Sequence, residues 1–168
     1  MKTLKFLLIT IIIAGGLASC KKESGASAED VAKANEFKAY IVNKQFRVSE
    51  YFSDMPIDYV ETDTAVKAET NLWPYVSSWI KDDLNTFDIT TSKVTIVQGP
   101  DKIQGNSDST IVLGFSIGAD KTGPYFNFLN YLYNPLKYHL VEFTNSYFLV
   151  YVEWHSGAKV YTKFSIIP

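Results

Sequence analysis

The side chains able to do chemistry are few and scattered along the chain. Two histidines, His139 and His155, could join Glu142 or Glu153 at a metal. They sit on different elements, however, without the fixed spacing of zinc sites, so His155 reads as a solvated turn residue and His139 as solvent-facing beside Lys137. Asp82 and Asp83 are adjacent. Within a strand they would point to opposite faces and cannot share a proton as paired catalytic carboxylates do, so capping or solvation is the expectation. Asp101, Asn106 and Asp108 lie in a glycine-bearing loop and offer the oxygen ligands calcium prefers. Their spacing does not match an EF-hand, and turn chemistry alone selects these residue types. Phosphate-loop, His-Glu-x-x-His and Gly-x-Ser-x-Gly motifs are lacking. The prediction is a protein that is not an enzyme, with no metal and no cofactor.

Cys20, the one cysteine, is different. Ahead of it stand Lys2 and Lys5, an apolar run from Phe6 to Ala14, and small or apolar residues from Gly15 to Ser19, the three-part layout of a secretory signal. Spanning about 30 Å of hydrocarbon takes roughly 20 apolar residues, more than this run supplies before Lys21, Lys22 and Glu23. Leu17-Ala18-Ser19-Cys20 resembles the lipobox of bacterial lipoproteins, in which the sulfur is acylated and the chain is cut before the cysteine. That resemblance implies a signal peptide over 1–19, lipidation at Cys20 and a membrane partner held through the lipid anchor. Lys21, in place of the aspartate that retains lipoproteins at the inner membrane, points to the outer membrane, with the periplasmic and surface-facing sides both open. With no second cysteine an internal disulfide is impossible, and acylation removes a thiol that would be a liability in an oxidising envelope.

Without the signal, 149 residues remain, carrying a formal charge of −4. A chain of this size buries roughly 68% of its unfolded surface in one core. The acidic balance and the single arginine, Arg47, exclude a nucleic-acid footprint. Eleven Tyr, eleven Phe and three Trp favour strands, whose pleated surface flat rings cover well.

Residues 20–28 read as a lipidated tether and 29–168 as the folded domain. Ser27 followed by Asp30 resembles a capping box, and Val31, Ala34, Phe37, Lys38 and Ile41 form one modest helical stripe. An extended segment follows from Phe46 to Phe52, ended by a turn at Ser53-Asp54-Met55-Pro56. Ile57 to Leu72 shows no sustained period and reads as a long loop with one short strand at most. Trp73 to Ile80 reads as a short helical or irregular lid. Seven strands are predicted beyond it: Asn85 to Thr90, Lys93 to Gln98, Thr110 to Ile117, Tyr125 to Leu129, Leu136 to Phe143, Tyr147 to Trp154 and Lys159 to Ile167. The loops between them are short enough for antiparallel neighbours, one being Gly118 to Gly123. Tyr147 to Trp154 is apolar on both faces, which predicts a cover on each, supplied by the helix or the lid.

Eight strands in meander order predict an all-β, antiparallel, up-and-down eight-stranded barrel with a short N-terminal helix; a two-sheet sandwich is the alternative. At this level the chain is similar to the lipocalin-like lipoproteins of the Bacteroidota. The carriers are the helix and strand around Phe37 to Phe52, the run Lys81 to Asp88, and the closing run Tyr138 to Val150. In place of the Gly-X-Trp signature of true lipocalins stands Asn43-Lys44-Gln45-Phe46. The resemblance implies a small barrel on a lipid anchor that binds something apolar. Trp73, Tyr75, Trp79, Tyr125, Phe126, Tyr131 and Tyr133 cluster where a barrel's mouth would lie and are the candidate ligand-binding residues. The first expectation is a small hydrophobic ligand held in an apolar pocket. The second is a non-catalytic interaction or glycan-binding subunit of a cell-surface complex.

Overall fold

Ser27 starts the first regular element because its hydroxyl can occupy an amide that a helix leaves without a partner. In the computed structural model, which describes residues 25–61, 64–103, 108–129 and 135–168, Ser27 Oγ accepts from the backbone N–H of Asp30 at 3.0 Å. Helix α1 then runs Ala28–Ile41 and buries Ala34, Phe37 and Ile41 along one stripe. Val31, expected in that stripe, is 45% exposed, one turn short of where the helix meets the sheet. Asn43, with φ 58°, ends the element in the left-handed conformation that asparagine tolerates. The signal region, Cys20 and the tether as far as residue 24 lie outside the described residues, as do Asn106, Tyr131 and Tyr133.

Nine strands follow: β1 Gln45–Glu61, β2 Thr64–Asn71, β3 Leu84–Asp88, β4 Lys93–Val97, β5 Thr110–Asp120, β6 Gly123–Leu129, β7 Pro135–Phe143, β8 Tyr147–Glu153 and β9 Lys159–Ile167. A 3-10 turn at Trp73–Tyr75 and a short helix α2, Ser78–Asp82, separate β2 from β3. Every pairing is antiparallel, in the order β2-β1-β3-β4-β5-β6-β7-β8-β9, and β1 pairs again with β9 to close a ring. The fold is therefore all-β and barrel-like. Eight of the described strands make the ring, and β2 is a ninth that pairs with β1 alone, from Phe52 to Glu61.

That far half replaces the predicted turn and loop. Pro56 lacks the N–H a ladder requires, but it falls where no ladder bond is needed. The β1–β9 register ends at Ser53, and the β1–β2 register shifts between Phe52 and Ile57. Ser53 Oγ fills the gap, donating to the carbonyl of Met55 at 2.8 Å. The strand thus continues past its proline into a hairpin. Likewise the Gly118 to Gly123 loop contracts to a two-residue turn, Lys121-Thr122, because Asp120 pairs with Gly123 and that glycine supplies a φ of 106°.

Alternation places one face of each strand inside the ring. Val48, Phe87, Val94, Leu113, Phe115, Phe126, Leu140, Phe148, Val150 and Phe164 meet there in one cluster, with Phe37 and Ile41 of α1 packed into it. A second cluster of Ile57, Leu72, Ala158 and Val160 sits where the β8–β9 hairpin meets the far half of β1. Asn85 spans the narrow β1–β3 seam, its side-chain amide donating to the Phe46 carbonyl. Among the described residues no helix is long and apolar enough to cross a membrane.

Candidate functional site

The interior decides first what this barrel can hold. Phe46 of β1, Phe87 of β3, Phe115 of β5, Phe126 of β6, Phe148 of β8 and Phe164 of β9 are all buried, as is Phe37 of α1. Rings from walls three strands apart touch: Phe87 lies 5.5 Å from Phe126 and 6.2 Å from Phe148, centre to centre. Phe148 also meets Phe37 at 5.1 Å, Phe46 at 4.9 Å and Phe164 at 4.6 Å. These are ordinary aromatic packing distances, so the described interior is occupied by side chains.

Phe126, expected at a mouth, is 1% exposed and central to that packing. It points inward because it pairs with Ile117 on one side and Tyr138 on the other, both inward positions. Trp73 and Ile80 pack partly against the same core, while Tyr75 packs against the second cluster. Trp79 is half-buried on α2. The predicted mouth residues are thus spread over core, seam and outer wall, and Tyr131 and Tyr133 lie outside the described residues.

The outer wall carries an arrangement that sequence reading missed. Register pairs Phe52 with Tyr161, Tyr161 with Tyr151, Tyr151 with His139, and His139 with Tyr125. Directly opposed residues share a face, so these five form one row across β1, β9, β8, β7 and β6. Phe52 stacks on Tyr161 at 5.0 Å and 6°, and His139 on Tyr151 at 4.7 Å and 16°. The row ends over Gly118, where a Cβ would lie 2.7 Å from the Tyr125 hydroxyl; only glycine leaves the ring this close to the sheet. Lys137 approaches the Tyr125 ring at 5.0 Å and Lys159 the Tyr151 ring at 4.8 Å. The cover over the outer face of β8 is therefore this row and its lysines, while α1 meets the inner face of that strand through Phe37 against Phe148. The signal for it was present in Tyr147, Leu149 and Tyr151, outward-facing apolar residues, but the row itself exists only through register.

His139 has its pKa lowered, chiefly by burial in the row and next by the Lys137 charge, so it is neutral at pH 7. Its Nδ1 is buried without a hydrogen-bond partner. His139 thus lies on the outward face near Lys137, as expected, but half-buried against Tyr151. Nearby, Lys137 donates to Asp120, whose carboxyl is held well below the ordinary range by that bond first and by the Thr122 hydroxyl second.

Asp82 and Asp83 lie at the end of α2 instead of in a strand. Asp82 accepts from the N–H of Asp101 at 3.0 Å, and Asp83, 2% exposed, accepts from Gly99 at 3.4 Å. Of the two expectations, capping or solvation, the buried Asp83 excludes solvation: both carboxylates cap backbone N–H groups of the 99–103 loop, donors that would otherwise be unpaired. Gln98 completes the loop, accepting from Ile103 at 3.1 Å. Among the described residues no group of three or more His, Cys, Asp and Glu side chains is placed to hold a metal ion.

The cavity outlined by the described residues lies beside the ring, where β1, β2 and the 3-10 turn meet. It measures about 430 Å³ and is lined by Glu50, Tyr51, Phe52, Ser53, Thr70, Asn71 and Trp73. Glu50 is ion-paired with Lys163 at 2.6 Å. Of the residues predicted to bind a ligand, Trp73 is the one that lines this cavity; Phe52 and Asn71 were not foreseen, because β2 was read as loop.

No protein-family model, curated protein or solved structure matches this chain.

Proposed function

We propose that this protein is a lipid-anchored, non-catalytic binding module of the bacterial outer membrane that works through its outer wall and rim. The carrying observation is the phenylalanine packing across the ring. An apolar carrier needs a preformed chamber of about 300 Å³ or more. In the described interior that space belongs to Phe37, Phe46, Phe87, Phe126 and Phe148. The reading of an interaction subunit needs only a rigid core and a presented surface, which the ring, the aromatic row and the open groove supply.

The anchor half of the proposal is supported by Leu17-Ala18-Ser19-Cys20 after the charged flank and apolar run. Each buried acyl methylene contributes about 0.8 kcal/mol, so two or three chains hold a protein on a bilayer almost permanently and the folded domain needs no lipid-binding face. Gly25, Ala26 and Ser27 precede α1 directly, which keeps the working surface near the membrane.

Two measurements test the reading. Growth of the producing bacterium with radiolabelled palmitate should label the wild-type chain in the outer-membrane fraction and leave Cys20→Ser unlabelled. Native mass spectrometry of residues 25–168 should give the polypeptide mass alone. A co-purified lipid that survives desalting would overturn the filled-interior reading and restore the carrier.

A further inference from the structure

From the geometry of the groove we infer that it is a binding site for a neutral sugar unit of a glycan. This rests on the binding-module reading and adds its ligand class. Glu50 and Phe52 are both on the outward face of β1, and Asn71, the register partner of Phe52, shares that face. One face of the Phe52 ring is covered by Tyr161, in nearly parallel contact at 5.0 Å. The other face is turned away from Tyr161, towards β2, where the row has no further ring but the small polar Asn71. The aromatic row therefore ends on the half-buried Phe52, which lines a groove together with Thr70, Asn71 and Trp73.

That combination suits a pyranose. A sugar ring has an apolar C–H face that packs on an aromatic ring and a rim of hydroxyls that both donate and accept. The groove supplies both kinds of partner: the Phe52 ring for the former, and the Asn71 amide, the Thr70 hydroxyl and the Glu50 carboxylate for the latter, while Trp73, packed partly against the core, closes one side. Asn71 Oδ1 already accepts from the Trp73 N–H at 3.3 Å, which leaves its NH₂ as donor and fixes its orientation.

Charge selects a neutral ligand. Glu50 is the one carboxylate in the lining and is already compensated by Lys163, so the lining itself presents no unmatched charge; Lys81, the cation beside it, is engaged on the Trp73 ring at 5.0 Å. A purely apolar ligand would leave the Asn71 amide, the Thr70 hydroxyl and the Glu50 carboxylate without replacement bonds, whereas sugar hydroxyls supply them. The volume, about 430 Å³, lies within the range of roughly 300–1,000 Å³ typical of small-molecule sites. It accommodates one or two sugar units of a longer chain whose ends remain in solvent.

The test is native affinity electrophoresis of the anchor-free chain, residues 25–168, through gels containing laminarin, dextran, xyloglucan or galactomannan, with polygalacturonate as the acidic comparison. At least one neutral polymer should retard the wild type. Calorimetric titration with oligosaccharides of that polymer should then show about tenfold weaker binding for Phe52→Ala and near-wild-type binding for Phe52→Trp, since one aromatic stacking face contributes on the order of 1 kcal/mol. Asn71→Ala should also weaken binding, and Val112→Ser, an outward substitution on β5, should not. Phe52 lies outside both core clusters, so its removal leaves the fold intact, which circular dichroism checks. Retardation by polygalacturonate alone, or by no polymer, would overturn the inference. So would retardation that Phe52→Ala and Asn71→Ala leave unchanged, in which case the binding-module reading survives and only this site falls. A lipid found in the interior would instead remove the reading on which the site rests.

Discussion

Replacing Phe148 with alanine measures how tightly the ring interior is filled. The side chain is fully buried and its ring lies within 6.3 Å, centre to centre, of those of Phe37, Phe46, Phe87, Phe126 and Phe164. In a close-packed interior these neighbours cannot all move into the space left, because each is held by its own strand or helix. The loss then combines the transfer free energy of the ring with the cost of a residual cavity, about 3–5 kcal/mol in total. With a urea m-value of about 2 kcal/mol/M, the unfolding midpoint should fall by about 2 M with the slope unchanged. Phe52→Ala is the internal comparison. That ring lies on the outer wall and is worth about 0.2–1 kcal/mol as a cross-strand pair, so its midpoint should move by less than about 0.5 M. Equilibrium unfolding followed by tryptophan fluorescence and by far-ultraviolet circular dichroism, with coincident transitions, checks both. A loss below about 1 kcal/mol for Phe148→Ala would refute the packed-interior argument, since it would mean that the ring borders space it does not need to fill.

Ser27→Ala removes the hydroxyl that accepts from Asp30 and should cost about 1 kcal/mol, read as increased amide exchange in the first turn of α1. Asp120→Asn tests the ion pair with Lys137. The carboxyl's folded pKa lies below its unfolded value of about 3.9, so its contribution is present above pH 4 and is lost as pH falls through the folded value. The pair is partly exposed, so the difference between wild type and variant should be no more than about 1 kcal/mol at pH 7 and should shrink below pH 4. His139 has the opposite charge type with the same sign of shift. As pH falls through about 6.5 the unfolded chain takes up the proton first, and stability is lost until the lower folded value is reached. His139→Phe keeps the stack on Tyr151 and removes that loss, so the wild type should destabilise more than the variant between pH 7.5 and 5; equal changes would contradict the burial argument.

Much of the β organisation was legible locally. The five segments from Thr110 to Ile167 read as successive antiparallel strands, Thr110 to Ile117 with the cleanest alternation, and the turns at Thr144-Asn145-Ser146 and His155 to Ala158 lie where the structure has them. The Asp82 and Asp83 roles were not legible, because a carboxylate that anchors a loop 16 or 19 residues further along has no local pattern. Nor was β2, whose Ala, Lys, Glu and Asn residues have little strand propensity and which forms only because the far half of β1 offers a pairing edge. The groove depends on that hairpin, so Phe52 and Asn71 could not be joined by inspection of the chain.

Taken alone, the sequence determined what depends on neighbours a few residues apart: the α1 start at Ser27, the period-two strands, the short turns and the absence of any disulfide. Register and ring closure decided the rest. Which of the eleven phenylalanines meet at the centre, and which rings align into a row outside, depend on pairing over long separations, such as Phe52 with Tyr161. A shift of one residue would exchange the two faces, so only the closed ring, burying one face completely, selects between them.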